Sequence, residues 1–92
     1  MREKFFQNLS FELKRIRENC NYTIEKVSEK TGYSRPLISR YENGKVVDLN
    51  ILLSLLEFYN ARIDIFFENV YAYTYNCDDP VVKNYNVRQD KE

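Results

Sequence analysis

The sequence predicts a mainly α-helical fold that ends in a short β-strand or hairpin extension. Three observations carry this expectation. Over the first 60 positions the apolar residues recur at spacings of three and four, the period of a helix with one buried face. Capping residues and Gly or Asn stops cut that pattern into short segments. From Arg62 onward the period changes to alternation among strand-forming residues. Ninety-two residues make one domain. The expected organisation is a helical domain over 1–60, a β-strand dimerisation extension over 61–75 and a polar, flexible tail over 76–92.

The first helix is set by Phe6, Leu9, Leu13, Ile16 and Cys20, one stripe flanked by Lys14, Arg15, Arg17 and Glu18. Asn21 ends it in the left-handed conformation usually given to glycine. Thr23 caps a second, short helix over 24–31, with Glu25 in its first turn where the helix dipole favours an acid. Gly32 stops it. Only Tyr33 and Ser34 separate that stop from the next helix signal. Ser34 is a strong N-cap, which makes Arg35 the first helical residue and Pro36 the second. A first-turn amide has no intrahelical acceptor, so Pro36 starts this helix and does not break it. Leu37, Ile38 and Tyr41 continue it, and Asn43-Gly44 ends it. Asp48 caps a fourth helix over 49–59, apolar nearly all round and therefore buried on more than one side.

Residues 62–67 (RIDIFF) and 70–75 (VYAYTY) alternate, and Glu68-Asn69 stands between them as a weak turn. A strand at the end of a small helical domain has unpaired edges. Pairing it with its copy across a two-fold axis buries edge and aromatics together. Ile63, Ile65, Phe67, Tyr71 and Tyr73 are the expected dimer interface. Residues 76–92 are polar, carry Pro80 and show no sustained period.

Composition removes several function classes. With two cysteines, Cys20 and Cys77, and no histidine, a structural zinc site lacks its usual four ligands. Ser-His and Cys-His nucleophile systems are excluded. No glycine-rich phosphate loop appears. The expectation is no enzyme, no metal and no cofactor, with both thiols inert in the cytoplasm. The start MREKFFQNLS has no apolar stretch after its charges and does not read as a signal peptide. No apolar run approaches the roughly 20 residues of a membrane span.

Net charge is zero, yet it is unevenly spread. Residues 1–45 hold ten Lys/Arg against six Glu, and residues 46–92 hold four against eight Asp/Glu. One basic region and one acidic region follow.

Two short helices joined by a tight glycine turn form a helix-turn-helix plan. Counted from Ile24, the small residue Ser28 comes fifth and Gly32 ninth, with Val27, Tyr33, Ile38 and Tyr41 at the inward positions. The small residue lets the helices cross closely, and the glycine supplies positive φ. Residues 9–67 resemble the lambda-repressor-like, Cro-type helix-turn-helix regulators, often called XRE-type. The resemblance rests on LKRIRENCNYT, VSEKTGYSRPLISRYENGK and LNILLSLLEFY.

The resemblance implies a lambda-repressor-like helical bundle and sequence-specific binding of double-stranded DNA, by a transcriptional repressor acting as a homodimer on a palindromic operator. It implies that the helix opening at Ser34 enters the major groove, with Arg35, Pro36, Ser39 and Arg40 facing bases. Arginine pairs bidentately with guanine, so Arg35 and Arg40 are the expected readers, while Pro36 touches a thymine methyl or sugar. Thr23, Ser34, Asn43 and Lys45 match positions that hold phosphates. Arg17 and Glu42 match a structural salt bridge between the first and third helices. The sequence departs from the family at Ile24, where glutamine usually contacts phosphate. The alternative reading is a protein-interaction module reusing this fold, such as a toxin-neutralising antitoxin or a viral inhibitor, with a toxin or other protein held by the C-terminal third.

Overall fold

The three-and-four spacing of Leu9, Leu13 and Ile16 becomes the buried face of α1 (Arg2–Asn19) in the computed structural model, which describes residues 2–46, 48–76 and 78–85. Asn21 follows at φ 62° and turns the chain. Thr23 then caps α2 (Ile24–Thr31), its side chain accepting the Lys26 amide at 3.0 Å. Gly32, at φ 84°, lets its own amide reach the Ser28 carbonyl and closes that helix. Ser34 caps α3 (Arg35–Tyr41) by accepting the Leu37 amide at 3.2 Å, and Pro36 sits in the first turn. Asp48 caps α4 (Leu49–Phe58) through the Asn50 amide at 2.8 Å. Asn60, at φ 59°, turns the chain after it.

The last element differs from the sequence expectation. Residues 63–75 form one helix, α5 (Ile63–Tyr75), and no strand occurs among the described residues. The segment satisfies two periods at once. Its alternation suits a strand, but Ile65, Phe66, Asn69, Val70 and Thr74 also fall at helical spacing, and these, together with Ala72, are the residues that are buried. A helix satisfies its backbone internally and lays that face on α1. A lone strand here has an open edge. Packing therefore overrides β-propensity. The expected strand interface of Ile63, Ile65, Phe67, Tyr71 and Tyr73 is divided by this change. Ile65 is buried and Tyr73 turns toward α1, while Ile63 and Tyr71 are exposed.

All five helices contribute to one core: Leu9, Leu13 and Ile16 from α1, Val27 from α2, Ile38 and Tyr41 from α3, Leu52, Leu55 and Leu56 from α4, Phe66 and Val70 from α5. Tyr41 is core, as its position in the pattern implies. Its hydroxyl accepts the Asp48 amide at 2.9 Å and ties the end of α3 to the start of α4. Part of the expected tail is also built in. Tyr85 packs against the core, and Lys83 is held by Asn69. Residues 86–92 and Cys77, on which the expectations of a flexible tail and an inert second thiol fall, lie outside the described residues. No described helix is long and apolar enough to cross a membrane.

Candidate nucleic-acid interface

The turn between α2 and α3 is fixed by short polar side chains. Ser28 Oγ donates to the Tyr33 carbonyl at 2.7 Å. Thr31 Oγ1 donates to the Val27 carbonyl at 2.7 Å and accepts the Tyr33 amide at 3.2 Å. Thr31 thus acts through its hydroxyl, which apolar patterning does not reveal. With Gly32 supplying the left-handed turn, α3 leaves α2 at a set angle.

On α3, Ile38 and Tyr41 face the core, and Arg35, Pro36 and Arg40 face solvent, with Ser39 half-buried. At about 100° per residue, positions 35, 36, 39 and 40 lie within an arc of about 140°. The structure therefore puts the four expected base-facing residues on one exposed side. Thr23 and Ser34 cap the N-termini of α2 and α3, each accepting a main-chain amide on its side-chain oxygen, and both are exposed. Lys45 is exposed just beyond α3.

Asn43 is exposed and also serves the end of α3. Its Nδ2 donates to the Ser39 carbonyl at 2.6 Å and its main-chain amide to the Arg40 carbonyl at 3.0 Å. It closes the last turn of α3. The Lys45 amide also closes on the Arg40 carbonyl, at 3.1 Å. The following turn is held from α1. Ser10, buried, accepts the Gly44 amide on Oγ at 2.8 Å. Sequence reading missed Ser10; its spacing from Leu9 and Leu13 places it at the edge of the buried face, a small-residue signal too weak to single it out.

Arg17 and Glu42 form the expected pair. Arg17 Nε lies 2.8 Å from Glu42 Oε2, and Nη2 lies 3.1 Å from Oε1. Nη1 donates to the Tyr22 carbonyl at 2.8 Å. One guanidinium therefore ties α1, the approach to α2 and the end of α3. Planar fork geometry is what makes arginine suited to this. The hydrogen bonds that Arg17 donates to Glu42 raise its pKa above the ordinary value, against the opposing effect of burial.

The charge asymmetry survives folding. Arg15 is paired with Glu12 and Arg17 with Glu42. The remaining eight cations of residues 2–45 (Arg2, Lys4, Lys14, Lys26, Lys30, Arg35, Arg40, Lys45) are exposed, against four exposed acids (Glu3, Glu18, Glu25, Glu29). The internal pairs cancel, so the basic excess stands entirely on the surface, where it attracts polyanions.

A family model described as helix-turn-helix matches residues 13–66, from the middle of α1 into the start of α5. No curated protein and no solved structure gives a match.

Proposed function

The chain belongs to the lambda-repressor-like helix-turn-helix family, and from that premise we propose that it is a sequence-specific double-stranded DNA-binding repressor, working as a homodimer on a palindromic operator. The observation that carries this reading is the exposed arc of Arg35, Pro36, Ser39 and Arg40 on a helix locked from three directions. Arg35 and Arg40 read guanines through their guanidinium forks. Pro36 offers no donor and presents apolar surface to a thymine methyl. Thr23, Ser34 and Lys45 set the register on phosphates, and Asn43 contributes by shaping the end of α3. Ile24 stands where glutamine usually meets phosphate; the free first-turn amides of α2 and the exposed Lys26 take over that contact.

The dimer reading rests on α5. Ile63, Phe67, Tyr71 and Tyr75 recur every fourth residue and make one solvent-facing stripe, with Ile63 44%, Tyr71 56% and Tyr75 47% exposed. Tyr71 and Tyr75 stack with ring centroids 4.5 Å apart. Phe67 continues the stripe into a depression that it lines with Phe6, Val46 and Leu49. Two such stripes packed across a two-fold axis bury aromatic surface and carry two reading helices. Half-sites about 34 Å apart, one DNA turn, suit that arrangement.

Selection of binding sites from random duplex DNA tests the proposal. An enriched palindrome with guanines at symmetric positions is the expected result. Failure to enrich any sequence, with the chain folded, would refute DNA reading and favour the protein-interaction role.

A further inference from the structure

The acid at position 12 lies outside the proposed reading surface, and it is the most enclosed charge among the described residues. Glu12 is fully buried between α1 and α5. Its Oε1 accepts Arg15 Nε at 2.8 Å and the Tyr73 hydroxyl at 2.5 Å. Its Oε2 accepts Arg15 Nη2 at 2.8 Å and Asn69 Nδ2 at 3.0 Å, and also the hydroxyl of Tyr85. Four of these five bonds come from the helices. Tyr85 alone comes from the segment that follows α5.

Asn69, also fully buried, faces the same segment. Its Oδ1 accepts the Lys83 amide at 2.8 Å, and its Nδ2 donates to the Lys83 carbonyl at 3.1 Å. A side-chain amide that holds both main-chain groups of one residue reads extended backbone and ignores the side chain, as a neighbouring β-strand does. Beyond it, Tyr85 packs against the core and forms one wall of a depression whose other walls include Ile16, Cys20, Tyr59 and Ala61. At the rim Lys83 Nζ meets Glu68 at 2.7 Å, an exposed pair of little energetic weight.

We propose that this slot between α1 and α5 is a binding site for an extended, tyrosine-bearing peptide, and that the chain's own residues 83–85 occupy it in cis as a releasable ligand. The buried carboxylate selects a hydroxyl donor and excludes phosphate or any acidic group by charge repulsion and desolvation. Asn69 selects a free main-chain amide two residues before the tyrosine, which excludes proline there. The slot is preformed, because Glu12 keeps Arg15, Tyr73 and Asn69 as partners when Tyr85 leaves. Release is local, because residues 81–84 belong to no helix or strand ladder, and Val81 and Val82 are exposed. A partner protein that presents such a segment competes for the slot. Glu12 shares α1 with Ser10 and Arg17, so the slot and the reading helix are braced by the same element. This inference stands apart from DNA binding.

Two measurements on the full chain test it. Hydrogen exchange followed residue by residue should show the Lys83 amide exchanging at least about tenfold faster than those of Leu13 and Phe66, the mark of a segment that opens before the core does. Equal rates would mean that residues 83–85 open only with global unfolding, and the proposal falls. The second measurement adds a synthetic peptide of residues 81–85, VVKNY, to the full-chain Tyr85→Ala variant. Saturable binding is expected, at least tenfold weaker when the peptide tyrosine is phenylalanine, and absent with the unaltered chain at the same concentration. No binding to the folded variant, or equal binding of the phenylalanine peptide, overturns it. Should that variant not fold, the exchange comparison on the unaltered chain decides alone.

Discussion

Arg17 and Glu42 are joined by two hydrogen bonds across 25 residues of chain, with their side chains only 10% and 5% exposed. A pair so enclosed has lost most of its water, so each partner depends on the other. Arg17→Ala or Glu42→Ala should each destabilise the fold by about 3 kcal/mol, because the survivor is left as an uncompensated charge. Replacing both with Met and Leu should cost much less than the sum of the two. Urea unfolding of the four proteins measures this. Arg17→Lys should behave nearly as badly as Arg17→Ala, since an ammonium cannot hold Glu42 as a fork and Tyr22 at once.

Base reading and phosphate holding should separate in mutant binding data. Arg35→Ala and Arg40→Ala should each cost about 1–3 kcal/mol on the selected operator and relax preference at one base position per half-site. Lys45→Ala should weaken all duplexes alike and lower the salt slope by about one. Fluorescence anisotropy titrations across a range of salt resolve the two patterns. A specificity change with Lys45→Ala, or a uniform loss with both arginine changes, would reassign the roles.

Much of this interface was legible from local chemistry, and the reasons are specific. Thr23, Ser34 and Asp48 cap helices through their own neighbours, so a few residues of sequence contain the whole interaction. Gly32 announces its turn by lacking a side chain. α5 was misread because Ile, Val, Phe and Tyr favour strands locally, while the arbiter is a distant surface, the face of α1 that Phe66 and Val70 cover. Glu12 was hidden in plain view. It lies three residues after Leu9 and four before Ile16, on the inward face, but its other partners, Asn69, Tyr73 and Tyr85, are 57 to 73 residues away. No local pattern reports a buried acid whose donors arrive from the other end of the chain.

The α5 stripe should control assembly and not folding. Tyr71 is more than half exposed in the single chain, so Tyr71→Glu removes little intramolecular packing and should change stability by less than about 0.5 kcal/mol. If the stripe is the dimer contact, the same change puts like charges opposite each other in an apolar seam. Sedimentation velocity should then show a monomer at concentrations where the unaltered chain is dimeric. Operator binding should weaken and become steeper with protein concentration. A Tyr71→Glu dimer as tight as the original would move the interface elsewhere.

The Glu12 cluster gives the fold a pH window with two edges. Burial alone raises the pKa of the Glu12 carboxyl, but hydrogen bonds from Arg15, Tyr73, Tyr85 and Asn69 together hold it below its ordinary value of 4.5. The unfolded chain therefore binds this proton more readily than the folded one. The cluster contributes fully above pH 4.5, and its contribution is lost as pH falls through the lower folded value. The tyrosines set the other edge. Burial, reinforced by the Glu12 carboxylate, pushes Tyr73 up from 10.0 to about 12 and raises Tyr85 further. Their contribution is full below pH 10, where the unfolded phenols still hold their protons, and declines as pH rises toward the folded values. Stability measured by urea midpoint against pH should be flat between these edges and fall outside both. Glu12→Gln should be less stable at neutral pH and show a shallower fall on the acid side, because the group that titrates there is gone. Tyrosine absorbance at high pH should then shift to earlier ionisation in that variant, since the carboxylate no longer opposes a phenolate beside it. An acid limb unchanged by Glu12→Gln would assign that edge to another carboxylate and leave Glu12 a structural acceptor only.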